Sequence, residues 1–261
     1  MRLPAIVFVA LIASAAAAPL VAPYAPERID LAGRRQAPSA AHPFGTDDLG
    51  RDVLSRILYG ARVSLAVGLF SAAVAGASGV AIGGIAGYGG GAIDAALMRA
   101  TDAMLAIPRL PLLMIAAVVL QPSIPLLIAL IGLAGWMETA RVVRAELRSL
   151  RGAGFVESAR ASGASHARVL VRHLLPNAAR AIAVSTTLAV ARGILLESAL
   201  SFFGVGVRPP AASWGNMLYQ AQAALDTEPW LAVTPGAFIL MTTMSVALIG
   251  DRLAAARRGP T

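Results

Sequence analysis

Apolar residues run through this chain in long blocks, and polar residues gather in a few islands between them. Six apolar blocks can be drawn, at about 4–21, 63–88, 104–120, 124–140, 178–200 and 231–250. Most approach the roughly 20 residues that an α-helix needs to cross hydrocarbon. The third and fourth are short, and only Gln121-Pro122-Ser123 separates them, a link that predicts a helical hairpin. Pro108 and Pro111 predict a kink near one end of the third block, because each removes a helical hydrogen bond. The pattern predicts an all-α, polytopic membrane protein with six transmembrane helices, folded as one domain over 1–261. The first block has a second reading: Arg2, the apolar run and the small residues at 13–18 also fit a cleavable signal peptide.

Composition supports the membrane reading. The chain is 57% hydrophobic and 14% charged, with mean hydropathy +0.70, against about 45–50% and about 25% in soluble domains. Cysteine is absent, which excludes disulfides, thiolate metal sites and cysteine nucleophiles. Lysine is absent too, all 22 basic residues being arginine. A standard phosphate-binding P-loop and Schiff-base chemistry both need lysine, so neither belongs to this chain. His166 and His173 are seven apart and make no metal motif, and His42 stands alone. No catalytic, cofactor-binding or metal site is expected.

A net charge of +8 can signal nucleic acid, but these arginines flank apolar blocks, where they set orientation, and no nucleic-acid partner is expected. Arg141, Arg144, Arg148, Arg151, Arg160, Arg168, Arg172 and Arg180 crowd the island before the fifth block, and Arg252, Arg257 and Arg258 the C-terminal tail. Positive-inside bias places this island and both termini in the cytoplasm. The segment 23–62 conflicts with that rule, because it would lie outside and carries six arginines.

Within the large island, about 141–177, Phe155, Val156 and Ala159 recur at helical spacing, with Glu157 and Arg160 on other faces. Gly163 interrupts, and Ser165 can cap a second short helix from His166. Val169, Leu170 and Leu174 form its apolar stripe, Arg168 and Arg172 its polar side, and Pro176 ends it. The residues alone describe two short amphipathic helices bent at a glycine, which also suits a pair resting on membrane lipid.

Glu157-Ser158-Ala159 and Gly163, with His173 and Pro176-Asn177 downstream, resemble the cytoplasmic coupling loop of bacterial ABC-importer permeases. Ser158 stands where that family usually has alanine. The stretch His42–Leu65, with Gly45-Thr46-Asp47-Asp48-Leu49-Gly50-Arg51-Asp52 at its centre, is similar to the segment before the second span of dipeptide, oligopeptide and nickel permeases. Leu195–Gly204, Pro209–Met217 and Gly250-Asp251-Arg252-Leu253 match the same subfamily's later landmarks, in order. The tail lacks that subfamily's usual Asp-Pro ending. The resemblance is to the second, C-type permease subunit.

The resemblance implies a type I importer fold, an uncleaved first helix and a multi-pass position in the bacterial inner membrane. It implies a second homologous permease subunit, two ABC ATPase subunits carrying ATP and Mg, and an extracytoplasmic solute-binding protein. ATPase coupling would fall to Glu157, Ser158, Ala159, Gly163, His173, Pro176 and Asn177. The solute would be a short peptide or a related small molecule such as a nickel chelate or glutathione.

Other features have plainer readings. Gly68, Ala72 and Gly76, then Gly79, Gly83, Gly87 and Gly91, step by four and suit close helix packing. The stretch 48–59 reads as an amphipathic surface helix capped by Thr46. Arg192 and Glu197 lie inside the fifth block, either on a translocation path or as structural intramembrane charges; five positions apart, they align poorly with each other, and Glu197 is expected to face protein. Two rivals remain: an ion-coupled secondary transporter, for which only those two charges qualify, and a nontransporting membrane scaffold.

Overall fold

The computed structural model describes residues 2–255, so Arg257 and Arg258 lie outside the described residues. Among these the regular structure is helical, and the extended pairing is an isolated antiparallel bridge between Thr46 and Asp52. The main helices are α1 (Arg2–Ala16), α2 (Ala18–Val21), α3 (Val53–Gly89), α4 (Gly91–Ala106), α5 (Arg109–Leu120), α6 (Ile124–Leu133) and α7 (Trp136–Leu150). They continue as α8 (Gly154–Ala161), α9 (His166–Arg168), α10 (Leu175–Phe202), α11 (Trp214–Ala221) and α12 (Trp230–Ala255). A π-helical stretch, Val169–Leu174, joins α9 to α10 in one continuous 37-residue helix from His166 to Phe202.

Among the described residues three helices are long and apolar enough to cross a bilayer: α3, the 166–202 helix and α12. The pairs α4–α5, bent by 79°, and α6–α7, bent by 42°, raise the number to five if each is one crossing. α1 is shorter, at 15 residues. At 1.5 Å per residue α3 is about 55 Å long, well beyond the roughly 30 Å of hydrocarbon, so part of it stands in the flanking layers.

α3 is the hub, packing against α1, α4, α6, α7, α10 and α11. The glycine steps form two seams on it. A Cβ on Gly68 or Gly76 would meet Ile194 at 2.4 Å or Thr186 at 3.1 Å on α10. On Gly79, Gly83 or Gly87 it would meet Thr139 at 2.6 Å, the Ala140 carbonyl at 2.3 Å or the Arg144 carbonyl at 2.9 Å on α7. Backbones approach this closely only where side chains are missing, and dispersion then holds the helices together. Gly91 sits outside the seam, with φ +56° and nothing within 4 Å of a Cβ. The order of these contacts makes α7 parallel to α3 and α10 antiparallel to it. One end of the bundle, here the lower, therefore carries the C-termini of α3 and α7 and the start of the 166–202 helix.

Several sequence expectations need correction. No separate surface helix covers 48–59: α3 begins at Val53, and Asp52, not Thr46, caps it by accepting from the Ser55 backbone N–H at 2.7 Å. Val53, Ile57 and Ala61 are buried in the same core as Leu65, so nothing separates the amphipathic start from the apolar remainder. The third block breaks rather than kinks. Pro108 forces Ile107 into extended backbone (φ −80°, ψ 124°) and α5 starts afresh at Arg109, while Pro111 sits harmlessly in its first turns. The fourth block continues beyond 140 through the bend at Ala134-Gly135 to Leu150, so the island begins as helix and not as loop. Pro176 does not end its helix. The wide turn delivers the Leu175 N–H to the Leu170 carbonyl, and Pro176 then occupies the first turn of α10, where its missing N–H is tolerated.

The candidate coupling elbow and solute groove

At the lower end α7 stops at Leu150, the chain turns through residues 151–153, and α8 folds back. Val156 on α8 is fully buried with Val143 and Leu147 of α7 and with Val169, Leu174 and Ala178 of the 166–202 helix. This small core fastens α8 to both neighbours. Gly163 closes α8 with φ +80°, a left-handed conformation, and nothing lies within 4 Å of a Cβ there. Its requirement is thus conformational and not steric. Ser165 then caps the next helix by accepting from the Arg168 N–H at 3.4 Å. Tyr88, at the foot of α3, pins the elbow: its hydroxyl is 2.7 Å from His166 Nδ1, and the Arg160 guanidinium lies 5.5 Å from its ring centroid.

The structure divides the predicted coupling residues. Glu157, Ser158 and Gly163 are exposed on α8 and its elbow, beside Phe155, which is 40% exposed. Ala159 instead packs against the small core, because it lies three residues from Val156 on the inner face. His173, Pro176 and Asn177 belong to the following helix, where the Asn177 side-chain amide donates to the His173 carbonyl at 2.7 Å. Asn177 also lines the groove described next.

Between α7 and α10 runs a cavity of about 550 Å³. Glu138 and Glu146 of α7 and Asn177, Arg180 and Arg192 of α10 supply its polar lining, with Ala254 of α12 at one edge. Thr139 and Ser185 hydroxyls, 2.9 Å apart, pin the two walls together. Outside this wall α7 carries an ion-pair ladder that the sequence reading missed. Arg144 pairs with Asp94 through two hydrogen bonds, Arg141 with Asp102 at 2.6 Å, and Glu138 with Arg109 at 2.5 Å. The steps of three between Glu138, Arg141 and Arg144 were a visible sign of one helical face. Their partners, on helices 29 to 50 residues away, were not.

Glu197 and Arg192 do not pair. Glu197 is completely buried near the upper end and accepts from Ser64 Oγ of α3 at 2.9 Å and Ser201 Oγ at 2.8 Å. Ser64 Oγ in turn accepts from the Trp214 N–H at 3.1 Å, and Ser201 Oγ from the Val207 N–H at 3.0 Å. One carboxylate thereby ties α3 and α10 to the segment that leads into α11. Arg192 points to the groove instead, and its Nη2 is buried without a hydrogen-bond partner among the described residues.

Above this, the loops before α3 and after α11 interlock. Arg51 is held by Asp47 at 2.7 Å, and Arg51 and Arg56 both donate to Gln220 Oε1 at 3.1 Å. Both arginines are buried.

A groove with charged residues on both walls thus lies between the two helices to which α8 is fastened. Residues 79–258 match the family described as the binding-protein-dependent transport system inner membrane component. A provisionally named peptide permease protein of Brucella suis is 40% identical over 237 residues, which cover 90% of this chain and 78% of that protein. The oligopeptide transport system permease protein OppC of Bacillus subtilis is 36% identical over 248 residues, or 95% of this chain and 81% of OppC. The dipeptide transport system permease protein DppC of Alkalihalophilus pseudofirmus is 37% identical over 236 residues, covering 90% and 78%. The chain belongs to the family of inner-membrane components of binding-protein-dependent transport systems.

Proposed function

We propose that this chain is one of two permease subunits of an ATP-driven importer for short peptides. The names of its relatives support the peptide class. α1–α2, α3, α4–α5, α6–α7, the 166–202 helix and α12 make six crossings of the inner membrane. The lower end, with both termini, faces the cytoplasm. The arginine excess at that end supports this orientation; in the conflicting segment Arg51 and Arg56 are locked in pairs with protein groups, while Arg28, Arg34, Arg35 and Arg62 are exposed.

The observation that carries the mechanism is the attachment of α8. It hangs between α7 and the 166–202 helix, the two walls of the groove, through one shared core. A force on α8 therefore moves both walls. ATPase subunits docked on Phe155, Glu157 and Ser158 supply that force, and ATP and its Mg are bound on those partners. A second permease faces the groove, and a solute-binding protein docks on the interlocked upper loops. The chain itself breaks no bonds; it converts displacement of α8 into alternating access to the groove.

The test is peptide uptake into vesicles holding the reconstituted importer. Uptake should require ATP and the binding protein. Gly163→Pro should insert and assemble normally but lose peptide-stimulated ATP hydrolysis, since proline fixes φ near −65° where the elbow needs +80°. Unchanged stimulation in that variant rejects the elbow as the coupling joint.

A further inference from the structure

α8 hangs from the groove walls by its inner core, but a second set of contacts, made by a different helix, holds its two ends. Tyr88 lies one residue before the end of α3 and is half-buried against that core. Its side chain touches both arms of the elbow. The Tyr88 hydroxyl and His166 Nδ1 are hydrogen-bonded at 2.7 Å, three residues after Gly163; the Arg160 guanidinium lies 5.5 Å from the ring centroid, three residues before it. The His166 ring also meets the Tyr88 ring edge-on, with centroids 5.7 Å apart. Gly163 has nothing within 4 Å of where a Cβ would stand, so packing at the bend does not set its angle. The other end of α8 reaches the same place. Arg151, in the turn that enters α8, lays its guanidinium against Gly90, where a Cβ would collide with Nη1. Gly90 and Gly91, at φ +64° and +56°, form the corner between α3 and α4. α8 is therefore seated across that corner and gripped there both before it begins and after it ends.

We infer that Tyr88 is a positioning residue for coupling: it sets the angle between α8 and the 166–202 helix and makes α3 move with them. This rests on the reading of α8 as the element that ATPase subunits grip, and deepens it. Without Tyr88 a push on α8 would be absorbed by bending at Gly163, the residue type that resists backbone rotation least. With it, the two arms turn as one piece and the push passes to α3, against which α1, α4, α6, α7, α10 and α11 are packed. A neutral hydrogen bond and an exposed cation–π contact each bias an equilibrium by about two- to tenfold. Two of them on one ring, acting on either side of one bend, suffice to favour a single elbow angle.

The chain has no cysteine, so the elbow angle can be measured directly. Gly154→Cys, at the start of α8, and Val171→Cys, beyond the elbow, use exposed positions outside the docking residues named above. Spin labels on the two, attached before the chain is assembled with its partners, should give one narrow distance distribution in the importer. Tyr88→Ala should broaden it and lower the peptide taken up per ATP hydrolysed by about threefold or more. Tyr88→Phe, which keeps the ring over Arg160 and the packing, should give a smaller loss of the same kind. His166→Leu should match Tyr88→Phe, and the two together should be no worse than either alone. His166→Asn, which keeps a polar group near the Nδ1 position, should keep the wild-type values. A merely structural role would lower assembly or stability without changing the uptake ratio of the complexes that form. The inference falls if the distribution stays narrow in Tyr88→Ala, if it broadens with the ratio unchanged, or if His166→Asn is as damaging as His166→Leu. Should Tyr88→Ala fail to assemble, Tyr88→Phe and the two His166 variants decide by the same readings. A wild-type importer that takes up no peptide refutes the transport reading, while the distances still decide whether Tyr88 holds the elbow.

Discussion

Glu197 and Arg192 stand five positions apart on the 166–202 helix, yet only the glutamate has its polar atoms met by the protein. Three serines surround Glu197, and two of them pass hydrogen bonds on to Val207 and Trp214. Removing the carboxylate leaves buried hydroxyls without their acceptor, at a cost of about 1–3 kcal/mol. Glu197→Leu should therefore lower the thermal unfolding temperature of the assembled complex and loosen the segment 203–213, seen as faster hydrogen exchange at Val207 and Trp214. Wild-type stability and exchange would show that the serine network holds without its centre. The sequence marked both charges as misfits in an apolar block. It could not say which one the fold satisfies, because Ser64 and Trp214 reach Glu197 from 133 residues away and through a further hydrogen bond.

At the scale of elements, the helices follow packing more than local signals. Apolar blocks showed where most helices lie, since that pattern depends only on what can face lipid or core. Boundaries failed where a polar residue was read as solvated. The stretch 48–59 was read as an amphipathic surface helix, but its Arg56 is 1% exposed and shares Gln220 with Arg51. Pro176 suggested a helix end because its missing hydrogen bond was counted in an α-helix and not beside a π turn. The four-residue glycine steps were the most legible feature, and their partners can be tested separately. Gly83→Ala should push α3 from α7 and destabilise by about 1–3 kcal/mol, because its Cβ would lie 2.3 Å from the Ala140 carbonyl. Gly84→Ala, one residue on with nothing within 4 Å, should be tolerated. Comparable losses at both positions in thermal unfolding would refute a one-sided seam.

For the whole molecule, the arrangement links an exposed lower elbow, a charged groove and the buried Glu197 network at the upper end along α7 and the 166–202 helix. Three ion pairs between α7 and the α4–α5 pair straddle the break at Pro108, so movement of α7 reaches both sides of that bend. The family could be read from motifs spread along the chain. Of the groove's charges the sequence singled out Arg192 alone; Glu138, Glu146 and Arg180 were not marked, because which helix faces meet across the cavity is set by long-range packing. All of this depends on α8 meeting a motor subunit in the cytoplasm. The most direct measurement is labelling of Ser158→Cys in the otherwise cysteine-free chain by a membrane-impermeant maleimide. The account predicts reaction in inside-out vesicles stripped of the ATPase subunits, none from the opposite face of the membrane, and protection when those subunits are restored. Labelling from outside intact cells, or labelling that the ATPase subunits leave unchanged, would contradict it.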